Sequence, residues 1–221
     1  VRVAGGRDID YQQTLPAESI KKLKSLKGIA AIDQFRALDI TYNDLPVVLA
    51  TGDFSVLSKY GNLVIKSGPP AQELDRIMVN QNRALVSEAF SLKHKVNVGD
   101  TLKLQTPSGP AQMEVGAIYF DYSRERGYII LDRTTFLNYY QTPEINSFVI
   151  YLDDKTRRES IRKEVLNTLK DYRLIIRSNS ELKQQVLEVF DKTFAITYSL
   201  EIIAILVAVL GLFNTLVSLI L

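Results

Sequence analysis

Residues 180–221 read SELKQQVLEVFDKTFAITYSLEIIAILVAVLGLFNTLVSLIL, and the rest of the chain is best understood outward from this stretch. Its last twenty residues, 202–221, carry no charge. A helix of that length rises about 30 Å, the thickness of a bilayer's hydrocarbon core. Asn214, Thr215 and Ser218 are its polar exceptions, of a kind tolerated where a spanning helix faces another helix. A buried helix of a soluble protein would need apolar neighbours on every side, which a mixed domain of this size rarely supplies. A membrane-spanning helix is therefore expected. Its C-terminal position separates it from a secretory signal peptide.

The same helix is expected to start well before the membrane. Leu182, Val186, Val189, Phe190 and Phe194 recur at helical spacing. Ser178 or Ser180 suits an N-cap, with Glu181 in the first turn. No Pro or Gly intervenes between Ser180 and Gly211. One continuous helix that leaves a soluble domain and enters the bilayer near Ala195 is the simplest reading, and its stiffness would couple the two. Glu201, the last charge in the chain, would then lie at headgroup depth or against a neighbouring helix.

The preceding residues have ordinary soluble composition. The 221-residue chain has 24% charged residues and a formal net charge of only +2, without the basic excess that marks nucleic-acid binding. The basic runs at Lys21, Lys22 and Lys24 and at Arg157 and Arg158 read as solvated helix faces. There is no Cys, which removes disulfides, thiolate metal sites and cysteine nucleophiles.

Strand and helix signals alternate along this part. Residues 1–4 read as a strand ending at Gly5 and Gly6, continuing from an earlier segment. Pro16 opens a helix with Ile20, Leu23 and Leu26 on one face, stopped by Gly28. Residues 29–42 and 45–50 read as a strand pair turning at Asn43 and Asp44. A helix over 54–60 and a strand over 63–65 lead to Ser67-Gly68-Pro69-Pro70, a punctuator taken as a subdomain boundary. Strands follow at 83–86, 101–104, 112–120 and 128–131, with Ser87 capping one helix and another over 134–140. After Pro143 come a strand at 148–152, a helix at 158–169 and a strand at 174–176. The two ends share a strand–helix–strand order and are expected to form one sheet.

The expected fold class is α+β: a membrane-proximal α/β part (1–67 and 145–179), a β-rich inserted part (68–144), and a long helix (180–221) that enters and spans the membrane.

Some residues carry a resemblance. Ala84-Leu85-Val86-Ser87-Glu88, followed by Val98-Gly99-Asp100-Thr101-Leu102-Lys103-Leu104, resembles a stretch of the periplasmic domains of FtsX/MacB-like ABC transporter permeases. Residues 190–198, continued by Leu210-Gly211-Leu212-Phe213-Asn214-Thr215-Leu216, are similar to the entry into the transmembrane helix after such a domain. The resemblance implies a permease subunit in the inner (plasma) membrane, with residues 1 to about 195 outside the cytoplasm. It implies a separate cytoplasmic ATP-binding subunit and membrane lipid as partners, with a second permease subunit and a periplasmic or outer partner as further ones. Members of the family move lipids, lipoproteins, peptides or drugs, or transmit force across the membrane.

Catalytic chemistry finds no support. No Gly-Lys dipeptide occurs, so a P-loop is absent and ATP must be handled by another chain. No Gly-x-Gly occurs, which removes the dinucleotide fingerprint. His94 is the only histidine and sits between lysines; it reads as a solvated loop residue, unable to supply a zinc site or a Ser–His pair. Asp153-Asp154 reads as a helix-capping turn, not an acid–base pair. Tyr119, Phe120, Tyr122, Tyr128, Arg124 and Arg126 form an aromatic–basic cluster, read as core on one side and solvated loop on the other. A lip that touches substrate or a partner is the sharper reading of that cluster. No catalytic residue, cofactor, metal site or nucleic-acid partner is expected, and the chain is not expected to be an enzyme. The rival readings are a membrane-anchored sensor or binding module, and a tethered hydrolase.

Overall fold

The structure is a computed structural model, and it describes residues 2–3, 14–121, 125–172, 174–176 and 179–220. Residues 1–176 form one compact unit and 177–221 another.

The chain ends of the first unit build a four-stranded sheet. Its strands are β1 (Arg2–Val3), β2 (Ile29–Phe35), β10 (Ser147–Leu152) and β11 (Leu174–Ile175), in the order β11-β1-β10-β2 and antiparallel throughout. Two helices, α1 (Glu18–Lys24) and α6 (Arg158–Thr168), bury Ile20, Leu23, Ile161 and Val165 against Phe148 and Ile32 on one face. The expected union of the two chain ends in one sheet is thus observed. Gly28, at φ +93°, makes the turn from α1 into β2.

The described residues between β2 and β10 fold around a seven-stranded mixed sheet. Its strands are β3 (Ala37–Tyr42), β4 (Leu45–Gly52), β5 (Ile65–Ser67), β6 (Arg83–Ser87), β7 (Thr101–Thr106), β8 (Gly109–Tyr119) and β9 (Tyr128–Asp132). They run in the order β3-β4-β9-β6-β8-β5, and β7 pairs with β8. Asn43 and Asp44, at φ 47° and 60°, form the expected tight turn between β3 and β4. β4 and β9 are parallel, as are β6 and β8.

Helices cover both faces of this sheet, so its central strands are apolar on both sides. Along β4, Val47 and Leu49 face a core with Phe90 of α4 (Glu88–His94) and Phe136 of α5 (Arg133–Tyr140). Val48 and Ala50 face the opposite core, with Phe54 of α2 (Phe54–Tyr60) and Leu74 and Met78 of α3 (Leu74–Met78).

One expectation changes. The division between sheets falls at Arg36, not at Ser67, so residues 37–67 belong to the larger sheet instead of the sheet of the chain ends. The reason is hydrogen bonding: the Asn43-Asp44 hairpin binds β3 to β4, and β4 then pairs along its length with β9. Gly68 and the two prolines only bend the chain from the edge strand β5 into a 3-10 turn (Ala71–Glu73) and α3. Between β2 and β10 the described residues carry seven strands and four α-helices, α2 to α5.

The second unit is one helix, α7 (Asn179–Ile220), unbroken over 42 residues. Its segment Leu187–Ile220 has a mean hydropathy of 2.6 over its most apolar window, long and apolar enough to cross a membrane by length and composition. The expected cap, Ser178 or the side chain of Ser180, lies outside what the structure describes, as do Gly5 and Gly6.

Candidate functional site

Among the described residues, buried charges and polar groups gather where the chain passes between the two sheets. The first passage is Arg36 alone, which separates β2 from β3. Its amide donates to Thr51 Oγ1 at 3.0 Å, and its carbonyl accepts from the Thr51 amide at 2.7 Å. The second passage runs from the end of α5 to β10 through residues 141–146. The two passages are bonded to each other through Asn146. Its side-chain Oδ1 accepts from the Ala37 amide at 2.6 Å, and its own amide donates to the Phe35 carbonyl at 2.8 Å. Asn146 and Ala37 are both buried. Backbone groups buried at such a break in a sheet need partners, and these bonds supply them.

Charge lies beside the passages. Asp33, on β2, is 6% exposed and accepts from the Asp53 amide at 2.9 Å. Burial pushes its carboxyl up to about 6; the Asp53 charge adds to this, while the Asp53 amide and the Arg133 guanidinium act against it. Arg133, the first residue of α5, is also buried and donates from Nη2 to the Pro143 carbonyl at 2.7 Å. Burial lowers its pKa, and Asp33, Asp53 and Glu144 offset that in part. Tyr151 of β10 joins from the small sheet and packs on Tyr60 of α2, ring centres 5.3 Å apart. Asp33 of the small sheet and Arg133 of α5 thus lie within electrostatic reach of each other, beside the backbone bonds that join the two passages. Such an arrangement can bind a proton and fix the angle between two sheets. Among the described residues, no group of three His, Asp or Glu side chains is spaced to hold a metal ion.

The residues singled out from the sequence lie elsewhere. His94 ends α4 with its ring 4.5 Å from Phe90 and 5.1 Å from Tyr42, centre to centre. It is half-buried, not a solvated loop residue, and burial lowers its pKa, with Lys93 adding to the effect. Asp154 accepts from the Thr156 amide at 2.8 Å and from the Thr156 hydroxyl at 2.7 Å, the capping turn expected. Tyr119 and Tyr128 are buried in the sheet, Phe120 is 37% exposed, and Arg126 lies 3.7 Å from Asp39 at the surface. Tyr122 and Arg124 fall outside the described residues. Glu201 lies within the apolar segment of α7. Sequence reasoning missed the Asp33–Arg133 pocket. The available signal was an acid inside the apolar run IAAIDQF.

A sheet formed by the chain ends with a mixed domain inserted into it is a fold shared with solved extracytoplasmic domains of transporters. The chain matches the periplasmic region of MacB from Actinobacillus actinomycetemcomitans with a TM-score of 0.57 and 16% identity, over 84% of this chain and 90% of that one. It matches the extracellular domain of the noncanonic ABC-type transporter YknZ from Gram-positive bacteria with a TM-score of 0.53 and 13% identity, over 72% and 83% of the two chains. In sequence it is similar to the uncharacterized ABC transporter permease protein Rv0987 of Mycobacterium tuberculosis, 24% identical over 145 residues, which is 65% of this chain. The chain spans 17% of that relative's length. No protein-family model matches.

Proposed function

We propose that this chain is the extracytoplasmic domain and following membrane helix of an ABC transporter permease, and that it works without catalysis. A cytoplasmic ATP-binding subunit would supply the energy. Residues 1 to about 195 would stand outside the inner membrane, with the remainder of α7 crossing it, surrounded by lipid and by a second permease subunit. The observation that carries this reading is the unbroken helix α7. A helix without Pro or Gly between residues 180 and 211 bends little, so a tilt imposed within the bilayer reaches its outer turns. The domain beyond would then convey ATP-driven motion to substrate or to a partner outside the membrane.

The test is to purify the intact parent protein from membranes in mild detergent and assay for a co-purifying P-loop ATPase. A stoichiometric ATPase whose hydrolysis changes with the permease is the expected result. A parent protein that comes out alone points instead to a membrane-anchored sensor or binding module. Lys192→Pro, placed between the polar and apolar parts of α7, should leave the complex assembled but uncouple hydrolysis from transport.

A further inference from the structure

Two basic runs more than a hundred residues apart in sequence meet in the fold. Lys21, Lys22 and Lys24 lie on α1 and Lys27 just after it, all exposed. Arg157 and Arg158 open α6, and Lys163 follows on its exposed side. The two helices pack as one layer, with Ile20 and Leu23 of α1 and Ile161 and Val165 of α6 in a shared core. Arg157 reaches over the end of α1: a Cβ built on Gly28 would stand 2.7 Å from its Nη1. Residues 18–28 hold four lysines against one glutamate, and residues 155–170 hold six basic side chains against two acidic ones. The positive excess of the layer lies mainly on residues 18–28, since Asp153, Asp154 and Asp171 flank the second run. Its lysines have no ion-pair partner among the described residues. Leu166, 43% exposed, sits among these charges on α6.

We infer that the outward side of the α1–α6 layer is a contact surface for anionic lipid headgroups of the membrane that α7 crosses. Charge complementarity is one ground, since clustered Lys and Arg with an exposed leucine suit an anionic lipid–water boundary. Chain continuity is the other. β11 belongs to the sheet that carries this layer, and α7 begins at Asn179, only three residues after Ile176. Along α7, the entry into the bilayer near residue 195 lies about 24 Å from the helix start at 1.5 Å per residue. The basic layer is thus linked through β11 and a short stretch of chain to a helix whose bilayer is always present, whereas an acidic protein segment would have to be recruited. The inference rests on α7 spanning the membrane, and it adds the lipid class that the domain meets.

The test is reconstitution of the full chain into nanodiscs of phosphatidylcholine alone or enriched in phosphatidylglycerol, followed by lysine acetylation read by mass spectrometry. Lys21, Lys22, Lys24 and Lys163 should be protected in the phosphatidylglycerol discs, and high salt should remove the protection. Each basic side chain near an anionic surface shifts such a contact about fivefold. Replacing Lys21, Lys22, Lys24 and Lys27 together by Gln should therefore expose Lys163 again; all four are exposed, so the fold should stay intact. Equal labelling in both lipids, in a chain that has inserted, overturns the headgroup contact and leaves the permease reading standing. Protection by soluble polyglutamate without any lipid effect overturns it in favour of an acidic protein partner. A chain that does not insert at all defeats the contact together with the membrane reading.

Discussion

Replacing Asp33 by Asn tests the charged pocket between the sheets most directly. The native carboxyl titrates near 6 in the fold, against 3.8 for an ordinary aspartate. For an acid, a raised folded pKa means that the folded state binds the proton more tightly than the unfolded chain. Folding is therefore penalised above pH 6, and the penalty fades as pH falls from 6 toward 3.8. At 1.36 kcal/mol per unit, the full penalty is about 3 kcal/mol. Asn at position 33 keeps an oxygen for the Asp53 amide and carries no charge to desolvate. Arg133 loses one counter-charge but keeps Asp53 and Glu144 nearby. The variant should thus be more stable than the native chain by about 1–3 kcal/mol at pH 8, with the gain vanishing near pH 4. Urea unfolding in detergent, followed by near-ultraviolet circular dichroism, is a suitable assay. With eleven tyrosines and no tryptophan, that signal reports tyrosine packing, which lies mostly in the first unit. A gain of the same size at every pH, or a loss at pH 8, would refute the assignment of burial as the dominant cause.

Asn146→Ala removes the acceptor for the buried Ala37 amide and should cost about 1–3 kcal/mol, measured by the same unfolding curves. At Gly127, φ is 78° and a Cβ would meet the Phe90 amide nitrogen at 2.6 Å, whereas a Cβ at Gly109 meets nothing within 4 Å. Gly127→Ala should accordingly destabilise by more than Gly109→Ala, which carries only the backbone strain of about 1 kcal/mol. His94, the single histidine, should titrate below 6.5 in a proton NMR pH series. Because its folded pKa is depressed, its contribution to stability is present above 6.5 and is lost as pH falls through the folded value.

The sequence made most elements legible where local chemistry sets them. Ser87 accepts from the Phe90 amide as the cap of α4, Gly61 follows α2, and the Asn43-Asp44 turn closes its hairpin. What local patterns could not reveal was which sheet each strand joins. β2 and β3 read as one strand over 29–42, because a single residue, Arg36, separates them and nothing in its type marks a change of sheet. The continuous apolar run of β4 matches its cover on both faces in the larger sheet. The charged pocket was hidden for a related reason. Asp33 and Arg133 are a hundred residues apart, and only the pairing of β4 with β9 brings α5 next to β2.

The bonds of Asn146 have a consequence for how this chain can be altered. The segment 37–145 begins and ends at nearly the same point, because Ala37 and Asn146 are hydrogen-bonded to each other. It can be treated as a cassette with adjacent entry and exit, cut out or exchanged at two neighbouring peptide bonds, while β2 and β10 keep their pairing on either side of the splice. Length and shape of the outer piece can then vary without moving the register of the inner sheet. A graft would be held to one rule: its two ends must come together closely enough to meet Phe35 on one side and residue 146 on the other.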